Sequence, residues 1–261
     1  MPTTTQHAPG TFCWPELGTT NQEAAKKFYA EIFGWTFNDN DMGNGEFYTM
    51  LQLRGHDVGA LYTMRKDERD QGIPPHWSSY VAVENADQSA AKAKQLGGKV
   101  LMEPFDVFDN GRMAVLQDPT GATFCIWQAK KSPGAGVLNE AGALCWTELA
   151  TRDTDKAARF YTQLLPWQAE PMNVGMPYTI FKNGTVQAGG MMQMTAEMGN
   201  IPPHWGVYFA VDDCDSIVAR ANQLGGKVAV PPMDIPNAGR FAVLQDPQGA
   251  AFSVRSFPKK S

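Results

Sequence analysis

The sequence predicts an α+β fold made of two tandem copies of one unit, and each unit contains two successive β-α-β-β-β modules. The main observation is an internal repeat. Residues 73–128 align with 201–256, more than half of the aligned positions are identical, and IPPHW occurs in both stretches. Earlier in each copy, FCWPEL matches LCWTEL and AAKKFYAEIFGW matches KAARFYTQLLPW. A unit of about 120 residues has the size of one domain.

The repeat predicts the domain boundaries. We expect one domain at 10–129 and a second at 143–257, joined by a linker at 130–142. The linker is rich in glycine, alanine and serine, a composition typical of a flexible connection.

Each element of the first copy follows from a local pattern. TFCWPEL alternates apolar and polar residues and predicts the first strand. A helix is expected from about 22 to 33, because Thr20 or Asn21 can cap its start and Gly34 can end it. EFYTMLQL, DVGALYTM and WSSYVAV predict strands, and ADQSAAKAKQLGG predicts a helix that stops at its glycines. MAVLQ and TFCIW predict a hairpin around the turn DPTGA.

Composition excludes several classes of protein. The net charge is −5 at pH 7, which argues against nucleic acid or an anionic membrane as the main partner. No apolar run is long enough to span a membrane, and the N-terminus MPTTTQHAPG lacks the basic and apolar regions of a secretory signal. We therefore expect a cytoplasmic location, with the four cysteines as reduced thiols.

Two repeated motifs resemble those of a known family. AAKKFYAEIFGW and KAARFYTQLLPW resemble the "FY…LG" helix of the vicinal oxygen chelate superfamily, and QDPTGATFCIW and QDPQGAAFSVR resemble its "DPxGN…EL" hairpin. This superfamily includes glyoxalase I, bleomycin-resistance proteins and extradiol dioxygenases. The resemblance implies an incurved sheet around a cavity in each domain. The tandem arrangement is also similar to a glyoxalase-like subfamily, and to a specialised glyoxalase that isomerises the trichothecene deoxynivalenol.

The resemblance also implies where a metal would bind, and this sequence departs from that pattern. None of the eight positions at which the family places its ligands is a histidine, aspartate or glutamate here. Matching the motifs puts these positions at Trp14, Ala60, Ser78 and Cys125 in the first copy, and at Trp146, Gly190, Gly206 and Ser253 in the second. The cofactor is therefore unknown: a divalent metal is possible only without its usual ligands, and glutathione dependence is doubtful.

The two IPPHW motifs suggest a different centre. The superfamily brings its first and fifth strands together in antiparallel orientation. If Trp14 lies opposite Ser78, Glu16 lies opposite His76, and Glu148 lies opposite His204 in the second copy. A carboxylate and an imidazole in contact can act as general base and general acid. The alternatives are a displaced metal on Glu16 and His76, or a purely structural role for both pairs.

Other side chains complete this hypothetical catalytic site. Tyr62 shares a strand face with Ala60 and could donate a hydrogen bond to an enediolate. Arg112 and Arg240 are expected to pin loops or, alternatively, to lie at the mouths of the cavities. Aromatic and methionine side chains are expected to bind the substrate, although ordinary core packing would also explain them; these residues are Trp14, Phe47, Trp77, Trp146 and Met192.

These observations predict a glyoxalase I-like isomerase that moves a proton through an enediolate on a vicinal hydroxyketone or dicarbonyl, with a trichothecene-type xenobiotic as one candidate substrate. The alternative is a non-catalytic protein that sequesters an apolar drug or metabolite. A third hypothesis is a pseudoenzyme that contacts another protein. We expect a monomer with an internal pseudo-dimer, and a homodimer is the alternative state.

Overall fold

The computed structural model describes residues 6–43, 45–173, 175–236 and 238–258. Each half of the chain forms one eight-stranded sheet. The elements of the first half are β1 (Phe12–Thr19), α1 (Gln22–Phe33), β2 (Thr36–Gly43), β3 (Glu46–Leu53), β4 (His56–Thr63), α2 (Lys66–Asp70), β5 (His76–Ala82), α3 (Ala86–Gln95), β6 (Lys99–Val107), β7 (Gly111–Gln117) and β8 (Thr123–Ala129).

The second half repeats this order, with a 3₁₀ turn at Ala196–Met198 in place of α2. Its elements are β9 (Leu144–Thr151), α4 (Thr154–Leu164), β10 (Gln168–Asn173), β11 (Pro177–Asn183), β12 (Val186–Gln193), β13 (His204–Ala210), α5 (Cys214–Gln223), β14 (Lys227–Ile235), β15 (Gly239–Gln245) and β16 (Ala251–Ser256). The prediction of two α+β units, each of paired β-α-β-β-β modules, is confirmed.

Each sheet is arranged symmetrically about its two central strands. The strand order is β2-β3-β4-β1-β5-β8-β7-β6 in the first half, and the second half has the equivalent order. As predicted, β1 and β5 are antiparallel, while the pairs β1–β4 and β5–β8 are parallel. The edge strands β2 and β6 are largely exposed. Their sequences lack the alternation of a half-buried strand, so the apolar pattern did not mark them.

The N-terminus of α1 follows the predicted capping rule. The Asn21 side chain accepts a hydrogen bond from the Ala24 amide, and Gly34 ends the helix with a φ of 69°. Asn21, not Thr20, is therefore the cap. Phe28, Tyr29, Ile32 and Phe33 form an apolar stripe along this helix and are buried.

The two halves share one hydrophobic core, because α1 and α4 each pack against the opposite half. The ring of Phe33 lies 5.0 Å from that of Phe209, and Phe28 meets Phe252 at 6.1 Å. In the reverse direction, Phe160 of α4 lies 6.3 Å from Phe124. This apolar interface has the form expected of an internal pseudo-dimer.

The connection between the halves is packed, and the prediction of a flexible linker is wrong. Ala135 is fully buried, and its amide donates to the Cys13 carbonyl at 2.8 Å. The indole nitrogen of Trp35 donates to the carbonyl of Gly142 at 2.7 Å. The glycines and alanines are small because neighbouring backbone approaches them closely.

Candidate functional site

Glu16 lies near the middle of β1, on the face of the sheet opposite to the helices. Its Cα is paired with Ala60 of β4 and with Ser78 of β5. His76 is paired with Gly18 and Trp14 with Tyr80. The predicted pairing of Glu16 with His76 is therefore wrong, because the register of β5 against β1 is shifted by two residues. The alternation of a strand assigns each residue to a face, but a two-residue slip keeps every face unchanged.

The same register revises the positions that the family resemblance implied for a metal. Ala60 and Ser78 lie level with Glu16, whereas Trp14 and Cys125 both lie level with Tyr80. The first-strand residue at the level of Ala60 and Ser78 is thus a carboxylate, not the tryptophan that motif counting indicated.

Two tyrosines hold the Glu16 carboxylate. Tyr48 donates its hydroxyl to Oε1 at 2.6 Å, and Tyr80 donates to Oε2 at 2.8 Å. Burial raises the pKa of Glu16, and the two hydrogen bonds and the nearby His76 act in the opposite direction. The residue as a whole is half-buried.

The second half contains the same arrangement. Tyr178 donates to Glu148 Oε2 at 2.6 Å, and Tyr208 donates to Oε1 at 2.8 Å. Burial again raises the pKa of this glutamate, while the tyrosines, His204 and Arg255 lower it. Each half therefore has one carboxylate clamped by two phenols on its concave face.

Sequence reasoning missed these tyrosines as partners of the glutamates. A signal was available, because Tyr80 and Tyr208 occupy the same position three residues after each PPHW tryptophan. A polar side chain kept at equivalent positions of a buried strand needs a hydrogen-bonding partner.

The histidines lie beside the glutamates, without a direct hydrogen bond to them. His76 Nδ1 is 2.9 Å from the Pro74 carbonyl oxygen, and His204 Nδ1 is 2.9 Å from that of Pro202. His76 is half-buried and His204 is exposed. Both histidines occupy the same sheet face as their glutamate, one pairing step further along the strand.

Tyr62 is engaged with a different carboxylate. Its hydroxyl donates to Glu68 Oε1 at 2.9 Å, and its Cα is paired with Gly18. The predicted free donor toward a substrate is therefore occupied. Met192 takes the equivalent position in the second half, paired with Ala150 and half-buried.

The predicted wall residues divide between the two faces of the sheets. Trp77 is wrong as a cavity residue: it lies in the helix-side core and donates its indole N–H to the Tyr29 hydroxyl at 3.0 Å. Phe47 is 41% exposed and lies on the opposite face of β3 from Tyr48. Trp14 and Trp146 do lie on the concave faces, and Trp146 donates to Tyr178 at 3.1 Å.

Apolar side chains extend along both concave faces away from the glutamates. In the first half, Met113 contacts the Tyr80 hydroxyl through its sulfur at 3.9 Å and is paired with Phe105, which is 40% exposed. In the second half, Phe241 lies 6.2 Å from the Tyr208 ring and is paired with Met233, which is 50% exposed. Each glutamate thus sits on an apolar, partly exposed surface.

The donor set around these sites does not fit a divalent metal. Within the ranges that the structure describes, no three His, Cys, Asp or Glu side chains are grouped as a metal site requires. Burial raises the pKa of the Cys125 thiol, so a thiolate there is disfavoured.

The remaining predicted residues are structural. Arg112 binds both carboxylate oxygens of Asp87, at 2.7 and 2.8 Å, and Arg240 binds Asp215 in the same way at 2.6 and 3.0 Å. Each arginine therefore joins its strand to the first turn of a helix, α3 or α5, and not to a loop as expected. In the part of the chain with described coordinates, every helix is too short or too polar to cross a membrane.

Comparisons with known proteins agree with this architecture. CFP32, a proposed glyoxylase of Mycobacterium tuberculosis (strain CDC 1551 / Oshkosh), is 44% identical over 97% of this chain and 97% of its own length. The anthracycline biosynthesis protein DnrV of Streptomyces peucetius is 37% identical over 96% of this chain and 94% of its own length.

Solved structures show the same fold at low sequence identity. The Mn(II)-bound glyoxalase of Novosphingobium aromaticivorans superposes with a TM-score of 0.66 and 15% identity, covering 95% of this chain and 82% of its own. A catechol 2,3-dioxygenase gives a TM-score of 0.62 and 15% identity, covering 98% and 92%. The family model of the glyoxalase/bleomycin resistance protein/dioxygenase superfamily matches residues 12–126 and 143–254, so the chain belongs to this superfamily, with two tandem domains.

Proposed function

We propose that this protein is a glyoxalase-like isomerase in which Glu16, and by duplication Glu148, removes and returns a proton beside a substrate carbonyl. The observation that carries the proposal is the Glu16 carboxylate clamped by Tyr48 and Tyr80. The substrate is a vicinal hydroxyketone, or a dicarbonyl in its hydrated form, bound on the concave face.

Glu16 has the properties of a general base. Its pKa is raised by burial, and a carboxylate with a raised pKa is a stronger base once ionised. Each oxygen receives one phenolic hydrogen bond, which leaves lone pairs free for an incoming proton. The second half offers the same carboxylate in Glu148.

The tyrosines supply the hydrogen bonds that the intermediate needs. When a C–H proton passes to Glu16, the electron pair of that bond moves onto the substrate carbonyl oxygen and forms an enediolate. The protonated carboxyl then accepts hydrogen bonds less strongly. Tyr48 or Tyr80 can turn its O–H toward the new oxyanion, and donors aimed at developing charge lower the barrier. Glu16 then returns the proton to the former carbonyl carbon, and the substrate's hydroxyl proton passes from the other oxygen to the new alkoxide, which completes the isomerisation.

In this proposal His76 has a secondary role. It shares the concave face with Glu16 and lies close enough for its charge to lower the pKa of that glutamate. Its half-buried position suits exchange of protons between the site and solvent. Tyr62 has no direct role, because its hydroxyl is bonded to Glu68.

The substrate is expected to be a bulky, apolar carbonyl compound. Partly exposed Phe105 and Met233 extend the surfaces beyond the glutamates and favour such a body. The name of the related DnrV refers to anthracyclines, which supports an aromatic ligand here as well. A trichothecene-type hydroxyketone fits the same description, and its isomerisation would be a detoxification.

The test uses turnover and binding together. Glu16→Gln and Glu148→Gln, singly and combined, are assayed for isomerisation of a panel of vicinal hydroxyketones. We expect the double variant to lose roughly 100-fold to 10,000-fold in turnover, while affinity for the substrate changes little. Undiminished turnover in the double variant would refute the proposal.

Non-catalytic sequestration is the second candidate function. The observation that favours it is the exposed apolar surface around each glutamate, which could hold a drug or metabolite without chemistry. Tight binding of such a ligand with no conversion by the unaltered protein would support sequestration.

A further inference from the structure

The two concave faces differ by a full positive charge at one position of the repeat. In the alignment of 73–128 with 201–256, Trp127 of β8 corresponds to Arg255 of β16. Trp127 is satisfied within its own half, since its indole nitrogen donates to the Ser132 carbonyl at 3.0 Å. Arg255 places a cation where the first half has a neutral aromatic ring.

Strand register puts Arg255 on the concave face. Ser253 is paired with Tyr208, whose hydroxyl binds Glu148, and residues two apart on a strand share a face. Arg255 is itself paired with Phe241, the ring that lies beside Tyr208. Its charge also lowers the pKa of Glu148, in agreement with this placement.

The guanidinium of Arg255 is held in position by contacts with neighbouring residues of the second half. Its Nε donates to the Ala238 carbonyl at 2.7 Å, and its carbon lies 4.8 Å above the Phe257 ring. The side chain is half-buried. Of the carboxylates in the described segments, none forms an ion pair with it, whereas Arg240 on the next strand pairs with both Asp215 and Asp234.

We propose that the second concave face binds an aromatic ligand through a carboxylate group, with Arg255 as its cationic partner. A fixed, half-buried arginine favours an anion that can accept from its free N–H groups. The rings of Tyr208 and Phe241, 6.2 Å apart, offer an aromatic surface beside it. The first face, with Trp127 in place of the cation, takes neutral ligands. The inference rests on the ligand-binding part of the proposed function and not on proton transfer.

The experiment compares a charged probe with its neutral counterpart. Binding of 2-naphthoate and of 2-naphthamide is measured by titration calorimetry to the full chain, to Arg255→Gln and to Arg255→Lys. We expect Arg255→Gln to bind 2-naphthoate about tenfold more weakly, because it loses a charge-assisted hydrogen bond. Binding of 2-naphthamide should be unchanged, and Arg255→Lys should restore part of the naphthoate affinity.

A matched pair of blocking variants locates the site. A Cβ added at Gly206 would meet no atom closer than the Glu148 carbonyl oxygen at 3.8 Å, so Gly206→Phe fills the second face without forcing the backbone. Ser78→Phe blocks the equivalent position of the first face. Gly206→Phe should abolish naphthoate binding, and Ser78→Phe should leave it intact. Thermal melting of each variant verifies that it is folded.

The proposal is overturned if the unaltered protein binds naphthoate no better than naphthamide, if Arg255→Gln leaves that preference intact, or if Ser78→Phe removes naphthoate binding while Gly206→Phe retains it. These outcomes are independent of catalysis. Failure of the isomerase proposal would instead appear as undiminished turnover in the glutamate variants.

Discussion

The hydroxyl of Tyr29 in the first half donates a hydrogen bond to Asp246 in the second half, at 3.1 Å. In the equivalent pair of the repeat, the hydroxyl of Tyr161 in the second half donates to Asp118 in the first half at 2.9 Å. Each aspartate also accepts amide hydrogen bonds within its own turn, from Ala250 at 2.9 Å in one half and from Ala122 at 3.1 Å in the other. The turn predicted from the sequence is therefore also a point where the halves are joined.

Removing this link should destabilise the whole chain at once. Tyr29→Phe leaves the buried Asp246 oxygen without its partner and the Trp77 indole N–H without its acceptor. We expect a loss of about 1–3 kcal/mol in the free energy of unfolding, with a single cooperative transition in urea. Two separate transitions would show that the halves fold independently.

The packed connection gives a second prediction about stability. Gly134 has a φ of 112°, and an added Cβ would lie 2.6 Å from the Cys13 carbonyl oxygen. Gly134→Ala should therefore lower the melting temperature markedly. Gly72→Ala is the control, since Gly72 also has positive φ but no atom within 4 Å of an added Cβ. Equal losses in the two variants would mean that the connection is not packed as described.

The tyrosine clamp predicts a change in the pH profile of activity. The hydrogen bonds from Tyr48 and Tyr80 lower the pKa of Glu16 against the effect of burial. In a chain that carries Glu148→Gln, adding Tyr48→Phe or Tyr80→Phe should raise that pKa. Because the base must be ionised, the acid limb of kcat/KM should move to higher pH. Tyr62→Phe should leave the limb in place, since that hydroxyl binds Glu68. A shift with Tyr62→Phe alone would contradict this assignment.

Protein stability should depend on pH in the opposite sense to activity. The pKa values of Glu16 and Glu148 are raised in the folded state, so the folded chain binds more protons than the unfolded chain in the window above the ordinary glutamate pKa of about 4.3. The stability that the protonated forms provide is complete below that value and is lost as pH rises through the raised values.

Glu16→Gln combined with Glu148→Gln removes this dependence. Relative to the unaltered protein, the double variant should gain stability as pH rises through the window, as measured by urea unfolding at several pH values. A difference in stability that is constant across that window would mean that the two carboxylates have ordinary pKa values when folded.

Much of the fold could be predicted from the sequence, because the internal repeat provides two copies of each pattern. Helix caps such as Asn21, the alternation of FCWPEL and the repeat itself establish the module order. The apolar pattern did not show where β2 and β6 begin and end, because these edge strands are largely exposed and their sequences do not alternate.

Sequence reasoning could predict the face on which the candidate site lies, but not the contacts within the site. Alternation placed Glu16 and His76 on one face, but it could not distinguish registers that differ by two residues. The assignment of Trp77 to the cavity rests on its residue type alone and is wrong. Trp77 lies between His76 and Ser78 on β5, so its side chain points to the opposite face, where it contacts Tyr29. The partners of Glu16 come from β3 and β5. The repeat marks Tyr80 as a polar residue that needs a partner, but the three-dimensional structure is needed to identify that partner as Glu16.

The central claim is that Glu16 and Glu148 move a carbon-bound proton, and solvent exchange tests it most directly. The protein is incubated with 2-hydroxyacetophenone in D₂O, and loss of the signal of the protons beside the carbonyl is followed by ¹H NMR. The account predicts enzyme-dependent deuterium incorporation that Glu16→Gln combined with Glu148→Gln abolishes. Incorporation at the same rate in the double variant, or none with the unaltered protein, would contradict it.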